Sequence, residues 1–322
     1  MRGRGPGSRR RAARLVDDRR PGCRRGAEAF DWKRRWKARP GSDAGPVKRG
    51  AGFTYMLFRS GLGQSSAVIQ VDARGHYTLF VGVTDVGAGA KTTMGLIAAE
   101  ALGVPLSQVT VVWGDTDTCP YSVGESGSRT TIMTGQAVIE AVRSLQAQVA
   151  EKGMPTGSQT LVAKASPNPR LEGKVRNAFG AHFVEVEVDT ELGHVRVTKY
   201  VAVHDCGRIM NPLTATSQIL GAATMGVGMA LHENLVYDPR SGQPLSAGFY
   251  YDRIPTHLDA PAVDVSFVEY DDGYGPYGAK SIGESGIILS PGAINNAIFN
   301  AIGRRLVPCP AIPPDHPSML DP

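Results

Sequence analysis

Gly82-Val-Thr-Asp-Val-Gly-Ala-Gly-Ala-Lys-Thr92 separates two stretches of different periodicity. Before it, Tyr77-Thr-Leu-Phe-Val81 is an apolar run that reads as a buried strand. After it, Met94, Ile97, Ala98, Ala101 and Leu102 keep helical spacing. Strand, glycine loop and helix form the unit from which the fold is read, and they give the loop a chemical use. Free N–H groups at a helix start and the helix dipole both favour an anion. A nucleotide P-loop would need Gly at 85 and 90 ahead of Lys91, where the chain has Asp85 and Ala90. A plain strand-to-helix turn is the other use of the same residues.

Two further loops repeat the pattern. Tyr121-Ser-Val-Gly-Glu-Ser-Gly-Ser-Arg-Thr-Thr131 precedes a helical stretch from about Ile132 to Val149. Its Gly and Ser residues let backbone approach a ligand closely, and Ser126, Ser128 and Thr130 add hydroxyl donors. Arg129 could pair with a phosphate through two N–H groups. Gly278-Ala-Lys-Ser-Ile-Gly-Glu-Ser-Gly286 sets one acid, Glu284, among small residues ahead of a helix from about Ser290 to Ile302. A lone carboxylate there suits a general base; a solvated or helix-capping Glu is the alternative. Three such loops, each opening a helix, favour a large anionic cofactor.

The remaining pattern is that of an α+β fold. A short helix is expected over 26–38, ended by Pro40 and Gly41, and strands at about 64–72, 77–84 and 108–113. The stretch 152–178, rich in Gly, Pro, Ser and charge, reads as an exposed connection. Residues 182–189 and 193–204 read as a hairpin, and helices at about 214–231 and 290–302 flank strands near 263–270. His204, Asp205 and Arg208 resemble a catalytic cluster, but adjacent residues on a strand face opposite ways, so a structural role is expected.

Composition narrows the class. At 322 residues and 42% hydrophobic the chain can bury one large core or two modest ones. Its apolar runs stop short of the ~20 residues a membrane helix needs, so no membrane partner is expected. Cys23, Cys119, Cys206 and Cys309 are far apart and form no CxxC pair. That spacing argues against a protein-ligated metal or iron–sulfur cluster and suits a reducing cytoplasm. The net charge of +5 is local: residues 1–25 hold ten Arg and two Asp, and the remainder holds 25 basic and 28 acidic side chains. This Arg-rich start is expected to be disordered, and reads as an artefactual or divergent beginning rather than a nucleic-acid arm.

The order of these elements resembles the C-terminal half of the molybdenum-binding subunit of the xanthine dehydrogenase and aldehyde oxidase family, from about Gly26 to Pro310. Thr84-Asp-Val-Gly-Ala-Gly89, Ile97-Ala-Ala-Glu-Ala-Leu-Gly-Val-Pro105 and Val112-Trp-Gly-Asp-Thr-Asp117 carry it. So do Gly124-Glu-Ser-Gly-Ser-Arg-Thr-Thr131, His204-Asp-Cys-Gly-Arg-Ile-Met-Asn-Pro212, Gln218-Ile-Leu-Gly221 and the loop around Glu284. The resemblance implies the second molybdopterin-binding domain of molybdenum hydroxylases, with layered mixed sheets and helices. It would occupy residues 51–310, after a short helix and linker at 26–50 and before a tail at 311–322.

The resemblance also implies a chemistry. The cofactor would be molybdopterin with molybdenum, in bacteria usually the cytosine dinucleotide form, held without a direct protein ligand to the metal. Glu284 would be the base in oxidation of an aldehyde or N-heterocycle with water-derived oxygen. Electrons would leave through [2Fe-2S] clusters to FAD on partner subunits. Cofactor contacts would come from Gly87, Ala88, Gly89, Lys91 and Thr92 in the first loop. The second would supply Gly124, Ser126, Gly127, Ser128, Arg129 and Thr130. Gln218 matches a family glutamine, and Gly283 and Lys280 flank the base, with Lys280 facing either a phosphate or solvent. Many relatives carry Gln where this chain has Ala88, which removes one side-chain bond and puts strict equivalence with the best-known enzymes in doubt. The first half of the molybdenum-binding region would be a required partner, so the chain alone is expected to be inactive. Two other readings stand beside this one: a truncated non-catalytic homologue serving in assembly or as a decoy, and a phosphate or nucleotide binder using Gly82–Thr92.

Overall fold

The computed structural model describes residues 20–167, 177–250, 252–271 and 273–306. The expectations for residues 1–19 and for the tail 311–322 lie outside these. In chain order the strands are β1 Val47–Arg59, β2 Ala67–Asp72, β3 Tyr77–Val81, β4 Val109–Trp113, β5 Thr160–Ala165, β6 Asn177–Asp189, β7 His194–Asp205 and β8 Val263–Phe267. The helices are α1 Arg20–Phe30, α2 Trp32–Arg35, α3 Ala90–Leu102, α4 Thr130–Lys152, α5 Pro212–Leu231 and α6 Ser285–Ile302.

Two four-stranded mixed sheets result, ordered β1-β6-β7-β8 and β4-β3-β2-β5. In the first, β6 and β7 form the expected antiparallel hairpin, β1 lies antiparallel to β6, and β8 lies parallel to β7. The valines of β6 explain its burial. Val184, Val186 and Val188 are fully buried on one face, while Glu185 and Glu187 turn the other way to Arg35 and Arg49. That buried face packs on α5 and α6, which contribute Ile219, Val227, Ile294 and Ile298. Each such side chain contributes roughly 1.5–3 kcal/mol by leaving water. On the opposite face Phe30 of α1 joins Phe179, Phe183 and Val201. In the second sheet, Ile69, Val71, Leu79 and Val81 pack against Met94 and Ile97 of α3 and Val138, Val142 and Leu145 of α4.

Several boundaries differ from those read in the sequence. The helix expected over 26–38 begins at Arg20, inside the stretch expected to be disordered, and breaks at Asp31, which is left-handed with φ 59°. The linker expected at 26–50 ends in strand, because β1 begins at Val47. Strand β1 was not anticipated. Its Gly50 and Gly52 lie where a Cβ would sit 2.2 Å from the Ala297 carbonyl oxygen and 2.1 Å from that of Ala293. The glycines let α6 lie directly on the strand backbone, and Asn300 locks it there by accepting from the Ala51 N–H at 3.0 Å. Within the expected connection 152–178, residues 160–165 form β5, which pairs antiparallel with β2; residues 168–176 lie outside the described set. No helix among the described residues is long and apolar enough to cross a membrane.

Candidate active site

Four helices, α3, α4, α5 and α6, direct their N-termini toward one cavity of about 380 Å³. The first loop joins β3 to α3, the second leads into α4, and the third leads into α6. The fourth segment, Cys206–Asn211, joins β7 to α5. The loops are tied to one another. Glu125 of the second loop accepts the Thr84 N–H at 2.7 Å and the Thr84 hydroxyl. Ser128 donates to the Glu284 carboxylate at 2.7 Å and accepts the Glu284 N–H at 2.9 Å. Behind the cavity, the Ser60 and Ser281 hydroxyls bond to each other, and Gly61 donates its N–H to the Gly127 carbonyl at 2.7 Å.

Of the residues singled out in the sequence, Ala88, Ser126, Gly127, Ser128 and Thr130 line this cavity, as do Gln218, Lys280, Gly283 and Glu284. Glu284 is exposed and stands at the N-cap of α6 without a side-chain capping bond. Its carboxylate is therefore available to the cavity instead of being spent on the helix. The side chains of Gln218, Ser126, Thr130 and Thr131 form no hydrogen bond with the described residues, so donors and acceptors face the cavity unused.

The other residues expected at the cofactor are placed elsewhere. Gly87, Gly89, Lys91, Thr92, Gly124 and Arg129 do not line the cavity. In the first loop three amides are already engaged. Asp85 takes the N–H groups of Gly87, Gly89 and Lys91 at 3.2, 2.9 and 3.2 Å. Burial raises the Asp85 carboxyl, but the N–H bonds from Lys91, Gly89 and Gly87 outweigh it and hold the group below the usual carboxylate range. A built-in anion thus occupies the start of α3. Lys91 instead places its ammonium 3.9 Å from the centre of the Trp113 ring.

Arg129 is 3% exposed, and its guanidinium donates twice to the Gly124 carbonyl at 2.7 Å and once to that of Leu62. These bonds close the second loop on itself. Lys280 is buried away from solvent, and its ammonium lies 2.8 and 3.1 Å from the two Asp205 oxygens, with both side chains buried. Ser128 spends its one donor proton on Glu284.

His204, Asp205 and Arg208 engage three different partners. His204 meets His182, Nε2 to Nε2, at 2.8 Å; Asp205 meets Lys280; Arg208 grips both oxygens of Glu100. Cys206 lines the cavity, but burial, reinforced by the Asp205 charge, pushes its thiol well up and makes it a poor nucleophile. Sequence reasoning missed Thr84, Glu125, Asn211 and Thr214, which also line the cavity. Asn211 before Pro212 is a readable helix-start signal, and its carboxamide accepts the Thr214 N–H. Glu125 carries no such signal.

Residues 25–261 match the family model of the molybdopterin cofactor-binding domain. The chain is 34% identical, over 92% of its length, to the aldehyde oxidoreductase molybdenum-binding subunit PaoC of Escherichia coli (strain K12). It spans 43% of that subunit, under half of its length. Among solved structures, the aldehyde oxidoreductase from Desulfovibrio desulfuricans ATCC 27774 superposes with a TM-score of 0.74 at 27% identity, covering 95% of this chain and 35% of that one. The CO dehydrogenase from Oligotropha carboxidovorans superposes at 0.76 with 22% identity, over 96% of this chain and 44% of that one, a likeness of fold.

Proposed function

Because the chain belongs to the molybdopterin cofactor-binding domain family, we propose that its cavity is one wall of the molybdopterin site of a molybdenum hydroxylase. The observation that carries this reading is the meeting of the exposed Glu284 carboxylate with unused polar groups of Gln218, Ser126, Thr130 and Thr131 in one space. An amide that both donates and accepts, beside hydroxyls, fits the edge of a pterin. The N-terminus of α4 carries no side-chain capping bond and suits the cofactor's phosphates. Ala88 leaves the first loop's cavity face without a side-chain donor, so polar contact falls to the second loop and to Gln218.

When bound, molybdopterin supplies a molybdenum centre that accepts two electrons from the substrate. Glu284 is the general base that takes up the proton released as a water-derived oxygen is added to the substrate carbon. Its carboxylate is held by Ser128, and its loop by the Lys280–Asp205 pair. The substrate class is an aldehyde or an N-heterocycle, and the cofactor form is the cytosine dinucleotide. Electrons pass to iron–sulfur and FAD partner subunits. A cytoplasmic setting belongs to the same reading, and the free thiols of Cys23, Cys119 and Cys206 suit it.

Turnover on this reading needs a complementary wall, because Glu284 and the cavity open to solvent. The chain alone is expected to bind no stoichiometric molybdenum. The test is Glu284→Gln in the assembled enzyme, with molybdenum content measured beside turnover.

A further inference from the structure

Ser128 sits at φ 53°, in the left-handed region that non-glycine residues seldom adopt and that persists where the surroundings impose it. Here the surroundings are rigid. Gly127, at φ 71°, is pinned by the Gly61 N–H, and Arg129 is buried with its guanidinium on Gly124 and Leu62. This backbone delivers the Ser128 hydroxyl across the cavity to the start of α6. There the oxygen accepts the Glu284 N–H at 2.9 Å, and its proton goes to the Glu284 carboxylate at 2.7 Å. One hydroxyl thus holds the main chain and the side-chain end of the same residue. Gly283 permits the approach, since a Cβ there would stand 3.2 Å from the Ser128 oxygen.

We infer that Ser128 is a positioning residue that presents the Glu284 carboxylate to the cavity, and that it does not bind the cofactor itself. The inference rests on the reading of Glu284 as the base. A hydroxyl has one proton to donate, and Ser128 has given it to Glu284. The contact is charge-assisted, and it restricts a long flexible side chain before any substrate arrives.

The experiment compares Ser128→Gly with Ser128→Ala in the assembled holoenzyme. Glycine accepts the positive φ without strain, so Ser128→Gly removes the hydroxyl while keeping the loop's path; Ser128→Ala carries the same comparison if the glycine variant is loose. The expected result is a fall in kcat on the order of 10- to 100-fold, the range for a lost charge-assisted hydrogen bond. KM should stay within about twofold, and molybdenum and pterin content should be unchanged. In a Glu284→Gln background the same change should add no further loss, because Ser128 acts through Glu284. Hydrogen exchange at the Glu284 amide should accelerate. Loss of molybdenum, an undiminished kcat, or a full additional loss in the Glu284→Gln background would overturn the inference. Should Glu284→Gln itself stay active, the base reading fails. Faster Glu284 exchange with full molybdenum in Ser128→Gly would then still establish the contact.

Discussion

Replacing Lys280 by Met removes the cation from a buried ion pair beneath the loop that carries Glu284. The Lys280 and Asp205 side chains are 1% and 3% exposed, and the ammonium reaches both carboxylate oxygens. Without it, Asp205 keeps the Gly207 N–H at 3.0 Å. A buried carboxylate left that way costs about 3–5 kcal/mol, because the desolvation already incurred is no longer offset. For a chain of this size such a loss lowers the melting temperature by roughly 4–7 °C. The consequence extends to the site. Lys280 donates its own N–H to the Cys206 carbonyl at 2.7 Å, and Gly207 bridges Ala279, so the pair fastens the third loop to the segment before α5. Urea and thermal unfolding of Lys280→Met should show the loss with an unchanged urea m-value. The double variant Asp205→Asn/Lys280→Met should recover most of it, because no charge remains buried. A single variant within about 1 kcal/mol of the parent, or a double variant as unstable as the single, would refute the reasoning.

Two further outcomes follow from buried polar groups. His182 and His204 are fully buried, and burial pushes both down from the ordinary value of 6.5, His204 to about 3. Below pH 6.5 the unfolded chain therefore binds protons that the native state refuses. For His204, stability present above pH 6.5 is lost as pH falls toward 3, at up to ~1.4 kcal/mol per pH unit, and His182 adds a loss of the same sign. Urea midpoints taken between pH 7 and pH 4 should fall steadily, and a flat series would count against the burial argument. Arg129→Ala should strand the Gly124 and Leu62 carbonyls, costing about 1–3 kcal/mol for each one left buried. Thermal melts should register that loss; an unchanged melting temperature with reduced pterin content would return Arg129 to a cofactor role.

The sequence makes the alternation of strand, loop and helix legible because local patterns carry it. The apolar run Tyr77–Val81, the glycine loop after it and the helical spacing from Met94 all appear as read. Strand β1 escaped because Gly50 and Gly52 look like turn residues. Their reason is non-local: α6, some 240 residues later, needs the space. Strand β5 escaped for a related reason, since its edge position on β2 leaves little apolar alternation to read. At the site, the meeting of Glu284, Gln218 and the second loop was readable from order and resemblance. What each polar group does was not. Asp85 turns back on its own loop, Arg129 and Lys280 are buried in internal bonds, and Ser128 bonds a residue 156 positions away. Residue type announces what a group can bond; only the fold decides which partner arrives first.

The central claim is that Glu284 does proton work in a molybdopterin site whose other contacts do not depend on it. Steady-state turnover of the assembled Glu284→Gln enzyme, with molybdenum and pterin counted per chain, tests it most directly. Gln keeps the shape and can still accept from Ser128, but it cannot act as a base. The account predicts full molybdenum and pterin with kcat reduced ~10²–10⁴-fold. A variant retaining more than about half of the parent's kcat, or one that loses molybdenum in step with turnover, would contradict it.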